Sequence, residues 1–175
     1  MRARPRWAGP LAVPAIVVAL AAAGPADAAG ATLLRLDGIG PLRLGMTRSA
    51  AVATGWLAGR GKGCPLASPV PVAYALTGPK APRGIRGSAE FTRGRLRVLA
   101  FSGGVRTATG VGVGSTTAQL LARYRRAGFA ASARFDRVFS TTFLTVRRGD
   151  RQVLDATADR GVVTSLGIPG VPVCE

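Results

Sequence analysis

The sequence predicts an α+β fold of two tandem repeats, each a short helix followed by an antiparallel three-strand meander. Three observations predict it. Two glycine-rich segments share one pattern, each runs into a threonine that opens a helix, and each helix precedes period-two apolar stretches punctuated by turn residues. The expected organisation is a signal peptide over 1–28, a first repeat over 29–104 and a second over 105–175.

The first 28 residues carry the three parts of a secretory signal. Arg2, Arg4 and Arg6 form a positive start, Leu11 to Ala23 is apolar apart from Pro14, and Ala26-Asp27-Ala28 offers small residues at a cleavage site. A spanning helix needs about 20 apolar residues and this run has about 13. Cleavage before Ala29 is therefore expected, leaving no membrane span and a product secreted or held outside the cytoplasm. No cysteine follows the apolar run, so a lipid anchor has no attachment point there.

In an exported chain, two cysteines read by default as a disulfide. Cys64 and Cys174 would close a loop of about 110 residues, which the chain-entropy model values at roughly 4–5 kcal/mol. Metal binding is the poorer reading, because histidine is absent and there is no second cysteine pair.

The formal charge is +16, from 24 basic and 8 acidic residues. Removing Arg2, Arg4, Arg6 and Asp27 with the signal leaves +14. Such a field attracts anionic polymers. Lys62 and Lys80 are the two lysines and asparagine is missing, a composition that also follows from a GC-rich genome. The arginines are scattered along the chain, which places nucleic acid low among partners.

The duplicated pattern is GIGPLRLGMTRSAAV, Gly38 to Val52, and TGVGVGSTTAQLL, Thr109 to Leu121. Aligning Gly45 with Gly114 matches Leu42 with Val111, Leu44 with Val113 and Thr47 with Thr116. Thr47 and Thr116 suit the N-cap, where the hydroxyl accepts from an unpaired backbone N–H. Gln119 completes a capping box with Thr116. The first helix is expected over Arg48 to Leu57 with Val52 and Trp56 inward. The second is expected over Thr117 to Ala127 with Leu120, Leu121 and Tyr124 inward.

After the first helix, Val70 to Leu76 alternates, with Pro71 suggesting an edge. Ile85 to Phe91 and Arg95 to Phe101 flank an Arg93-Gly94 turn. In the second half, Ser140 to Val146, Gln152 to Thr157 and Val162 to Ile168 read as strands. Arg148-Gly149-Asp150 and Ala158-Asp159-Arg160-Gly161 read as the turns between them. Phe129, Phe135 and Phe139, with Arg134 and Arg137 among them, read either as core strand or as a contact surface.

The apolar–Gly–Met/Ser–Thr pattern, short helix and meander resemble the outer-membrane assembly lipoprotein family of SmpA/OmlA type. The tandem form is similar to the beta-lactamase inhibitor protein family of actinobacteria. Gly45, Met46 and Thr47 carry the likeness best, with Gly114, Ser115 and Thr116 as the second copy. The resemblance implies helices packed on one face of an antiparallel sheet, with the other face free to bind a protein, and an inhibitor-like role. Two departures stand out: the inhibitors carry a disulfide in each repeat where this chain has cysteines for one, and the lipid-attachment cysteine is missing.

Catalytic machinery is hard to assemble from these residues. Without histidine the commonest general base is gone. The acids after the signal are Asp37, Glu90, Asp136, Asp150, Asp155, Asp159 and Glu175, several of them at expected turns. Gly61-Lys62 is followed by Gly63 where a phosphate loop needs Ser or Thr, and Gly110, Gly112 and Gly114 have the wrong spacing for a dinucleotide site. No G-x-S-x-G elbow occurs.

The expectation is therefore a non-catalytic, cofactor-free module that binds an extracellular or envelope protein. Arg95, Arg97, Phe143 and Thr145 are the candidate contacts on a sheet face. The alternatives are an envelope protein that binds an anionic polymer, and an enzyme with a carboxylate site, for which Asp155 is the candidate.

Overall fold

The computed structural model describes residues 32–66 and 68–172. The signal segment and Cys174 lie outside the described residues. Among the described residues, twelve strands and two short helices follow one another in the order β1 Thr32–Arg35, β2 Gly38–Ile39, β3 Leu42–Arg43, α1 Arg48–Ala53, β4 Ala58–Lys62, β5 Val72–Ala75, β6 Arg86–Thr92, β7 Arg95–Gly103, β8 Val105–Thr107, α2 Thr117–Arg126, β9 Ala130–Asp136, β10 Thr141–Arg148, β11 Arg151–Asp159 and β12 Val162–Ile168.

This corrects the expected fold class. The chain is mostly β, and its strands form two sheets where one set of three-strand meanders was expected. An eight-stranded antiparallel sheet runs β4-β5-β6-β7-β12-β11-β10-β9, and a four-stranded sheet runs β3-β2-β1-β8, with β1 and β8 parallel.

Each departure has a local cause. The strand Ala58–Lys62 is AGRGK and Ala130–Asp136 is AASARFD, so neither shows the apolar alternation by which strands are read. They are the two outer strands of the large sheet, where little apolar surface is buried. The edge expected at Pro71 is occupied by β4, and β5 lies inside it. The first helix stops at Ala53, four residues short of Leu57. The Thr54 hydroxyl takes the Ala51 carbonyl at 2.6 Å, and Gly55 turns the chain at a φ of +74°. Ala51 is its buried residue, while Val52, expected inward, is 40% exposed.

Within the strands, period-two alternation sends one set of side chains to the core. Leu96, Leu99 and Phe101 of β7, Leu144 and Val146 of β10, Leu154 and Ala156 of β11, and Leu166 and Ile168 of β12 are all buried. They pack in one cluster with Leu34, Ile39 and Leu42 of the small sheet, Ala51 of α1, and Leu120 and Tyr124 of α2. Each large side chain buried in this way stabilises the fold by roughly 1.5–3 kcal/mol before entropy is charged. The helices and the small sheet therefore close one face of the large sheet.

Both Gly-x-Thr segments dock in the same way. Gly45 donates to the Leu96 carbonyl at 2.7 Å and Leu96 donates to that of Met46 at 2.8 Å. Gly114 donates to the Val163 carbonyl and Val163 to that of Ser115, both at 2.9 Å. The strands they meet begin at the Arg93-Gly94 and Arg160-Gly161 turns, where all four residues have positive φ, as two-residue hairpin turns of this kind require.

Candidate functional site

The face of the large sheet away from the helices is built from the other half of the alternation. Directly opposed residues share a face, so the register assembles it row by row. One row runs Ser132, Thr145, Asp155, Gly167, Ala100, Ser88 and Ala75 from β9 to β5. The next runs Arg134, Phe143, Thr157 and Ser165 from β9 to β12.

Chain beyond β12 folds back over the middle of this face. The side-chain amide of Gln152 donates to the Asp155 carboxylate at 2.7 Å and to the Pro169 carbonyl at 3.1 Å, holding the segment down. A Cβ on Gly167 would meet the Gly170 carbonyl, so the close approach requires glycine there. Beside this strap, β9, β10 and β11 keep their face open. Phe143 is half-buried and meets Phe139 edge to face at 5.9 Å. Arg134 reaches Asp136 at 3.1 Å, and Asp136 in turn accepts from the Val138 and Phe139 backbone across the turn. Thr157 shares hydroxyl hydrogen bonds with Ser165 at 2.6 Å and with Thr164 at 3.0 Å.

The four expected contact residues separate into two places. Phe143 and Thr145 stand side by side on β10. Arg97 is exposed on β7, with β11 and β12 between, which is about 14 Å across at ordinary strand spacing. Arg95 sits at the end of β7, where it donates to the Gly45 carbonyl at 3.1 Å and pairs with Thr47 in an isolated bridge. Its role is to hold the first Gly-x-Thr segment. Arg134, expected within the Phe129 to Phe139 stretch as core strand or contact surface, joins the site together with Ser132 and Thr157, which the sequence does not single out; their opposition to β10 is a matter of register.

The cap residues lie at the ends of the helices. Thr116 and Gln119 form both hydrogen bonds of the capping box, at 2.9 and 3.1 Å. Thr47 accepts from the Ala50 amide at 3.3 Å. All three cap residues are exposed to solvent.

No family model, curated protein or solved structure matches the chain.

What the site can do therefore rests on its own chemistry. Burial raises the carboxyl of Asp155 above its ordinary value, against smaller opposing contributions from hydrogen bonds of Thr145 and Gln152. Burial also raises Glu90, opposed by the Cys64 backbone amide. These two lie on β11 and β6 with β12 and β7 between, at least about 14 Å apart, beyond the 5–9.5 Å of a hydrolytic carboxylate pair. A cleft of about 430 Å³ opens beside Gln152 and Pro169; the carboxylate on its wall is that of Asp37, exposed and paired with Arg35 and Arg43, and Asp155 is not part of it. Among the described residues no three of Asp, Glu, Cys or His gather as metal ligands. No described helix is long and apolar enough to cross a membrane.

Proposed function

We propose that the chain is an exported, non-catalytic module that binds a protein outside the cytoplasm through the β9–β11 part of its open sheet face. One observation carries this reading. The helices and small sheet close one side of the eight-stranded sheet, while the other keeps Phe143 accessible between Arg134 and Thr157. An accessible aromatic residue directly opposite an arginine is the pairing enriched at interface centres. The separation of the two shifted carboxylates weighs against the enzyme alternative. Occupying an enzyme's surface, as an inhibitor does, is one form of this role.

The test is capture of partners from culture medium and envelope extract by the tagged chain, at low and high salt, with Phe143→Asp beside it. A discrete protein retained at high salt and lost with Phe143→Asp is the expected result. Retention of anionic polymer alone, released as salt rises and indifferent to Phe143→Asp, would replace this reading with the polyanion one.

A further inference from the structure

The two outer strands of the large sheet are protected very differently. On β4 the register shifts between Ala58 and Arg60, Gly59 sits at a φ of +62°, and Arg60 and Lys62 are exposed. A bulge, glycine and charge are the usual devices that stop an edge from pairing. On β9 the register with β10 is unbroken over seven residues, without proline and without a bulge.

Part of the β9 edge is already closed. Arg125 of α2 donates to the Ala131 carbonyl from Nε at 3.0 Å and from Nη2 at 2.7 Å, so that carbonyl faces away from β10. Backbone direction alternates with period two, which places the N–H and C=O groups of Ala133 and Phe135 on the same free side. Ala133 is exposed and Phe135 is 60% exposed, and Val138 in the following turn is 82% exposed. Arg134 has 79% of its side chain in solvent, and Arg126 and Arg137 are exposed. The one acid of the strand, Asp136, is engaged by Arg134 and by the turn backbone.

We propose that β9 accepts an extended acidic segment of the protein partner as a ninth strand of the sheet. The segment would pair with the backbone of Ala133 and Phe135, lay an apolar residue beside Phe135 and set its carboxylates against Arg134 and Arg137. A second copy of this chain is disfavoured as occupant, because it would bring the same arginines together in a body of charge +16 before processing. This inference rests on the protein-binding reading above and specifies how the partner is held.

The test uses an alternating glutamate–valine peptide, its lysine–valine counterpart, and inorganic polyphosphate as a non-peptide polyanion. Ala133→Pro removes an outward N–H without taking a bond from the β9–β10 ladder, and thermal melting checks that the sheet survives. The expected result is binding of the glutamate peptide, refusal of the lysine peptide, and a loss of about tenfold or more with Ala133→Pro. If Ala133→Pro unfolds the chain, slowed amide exchange at Ala133 and Phe135 of the unaltered chain on adding the peptide supports the same conclusion. Binding unaffected by Ala133→Pro, equal competition by polyphosphate, or no exchange protection at either amide overturns it. So does self-association abolished by Ala133→Pro, which assigns the edge to a second copy. A partner captured through Phe143 but insensitive to Ala133→Pro removes the edge pairing and leaves the binding-module reading standing; failure to capture any protein removes that reading itself.

Discussion

Ala100 and Gly167 face each other at the middle of the three-pair ladder that joins β7 to β12. Leu99 opposite Ile168 and Phe101 opposite Leu166 flank them symmetrically. Further along, β7 accepts from the Gly45 amide and donates to the Met46 carbonyl, and β12 accepts from Gly114 and donates to Ser115. The two halves of the large sheet are thus joined by a short central ladder, with one Gly-x-Thr segment completing each of the two strands. Gly167 also lies beneath the strap, with Gly170 directly above it.

Gly167→Val should therefore destabilise the fold through overpacking. The added side chain meets backbone that is held by the Gln152–Pro169 hydrogen bond, and a cost of about 1–3 kcal/mol is expected. Urea unfolding measures it. An unchanged or higher midpoint would show that the strap yields freely and does not pin this face.

The two helix caps should differ in worth. Thr116 is in a reciprocal capping box on a ten-residue helix, so Thr116→Ala should cost about 1 kcal/mol. Thr47 holds a longer 3.3 Å bond at a six-residue helix with no reciprocal partner, so Thr47→Ala should cost less. Gln119→Ala should fall between them. The ranking is read from unfolding midpoints, and a larger loss at Thr47 than at Thr116 contradicts it.

The parts that were legible in sequence are those whose signal is local. Arg93-Gly94 and Arg160-Gly161 announce hairpins because glycine accepts positive φ there, and Val162–Ile168 was bounded correctly by its alternation. The threonine caps were legible for the same reason, since a hydroxyl followed by an apolar helical face is a short-range pattern. What escaped was set by distance along the chain. The parallel pairing of Thr32–Arg35 with Val105–Thr107 joins segments some seventy residues apart, and short strands of this kind carry no pattern of their own. The bounds and edge position of Ala130–Asp136 were not legible within the Phe129 to Phe139 stretch, because an edge strand with little to bury can be written in alanine and serine. The helical share was overestimated where Gly55 and the Thr54 hydroxyl end a helix that apolar spacing alone would have continued. Of the contact residues, Phe143 and Thr145 could be found from alternation on one strand. Arg134 was legible as part of a possible contact stretch, but not its place beside Phe143, which depends on the β9–β10 register.

Asp155 and Glu90 should make the fold less stable as pH rises out of the acid range. Burial raises both carboxyls in the folded state, so the folded chain holds protons that the unfolded chain releases. Their favourable contribution is complete below the ordinary carboxyl range near pH 4, is lost as pH rises through the raised folded values, and does not change beyond them. Asp155→Asn keeps an acceptor for Gln152 and removes the titration, so it should flatten this slope and raise stability at neutral pH. Urea midpoints from pH 3 to pH 8 decide the matter, and a stability that climbs with pH in the unaltered chain but not in Asp155→Asn would reverse the sign.

The expected Cys64–Cys174 bond should be the largest single covalent contribution to stability. Cys64 is buried two residues after β4, with its backbone amide held by the Glu90 carboxylate, and in sequence Cys174 follows the strap that crosses the open face. Closing a loop of about 110 residues restricts the unfolded chain far more than the folded one, by roughly 4–5 kcal/mol in the chain-entropy model. The oxidised chain, unfolded without reductant, should take up no thiol label, and after reduction it should take up two. Cys64→Ala should lower the unfolding midpoint to that of Cys174→Ala, and the double variant should add nothing, since each single change already opens the same loop. Two labelled thiols in the unreduced protein, or additive losses from the two variants, would show that the cysteines act separately and that the strap is held by Gln152 and packing alone.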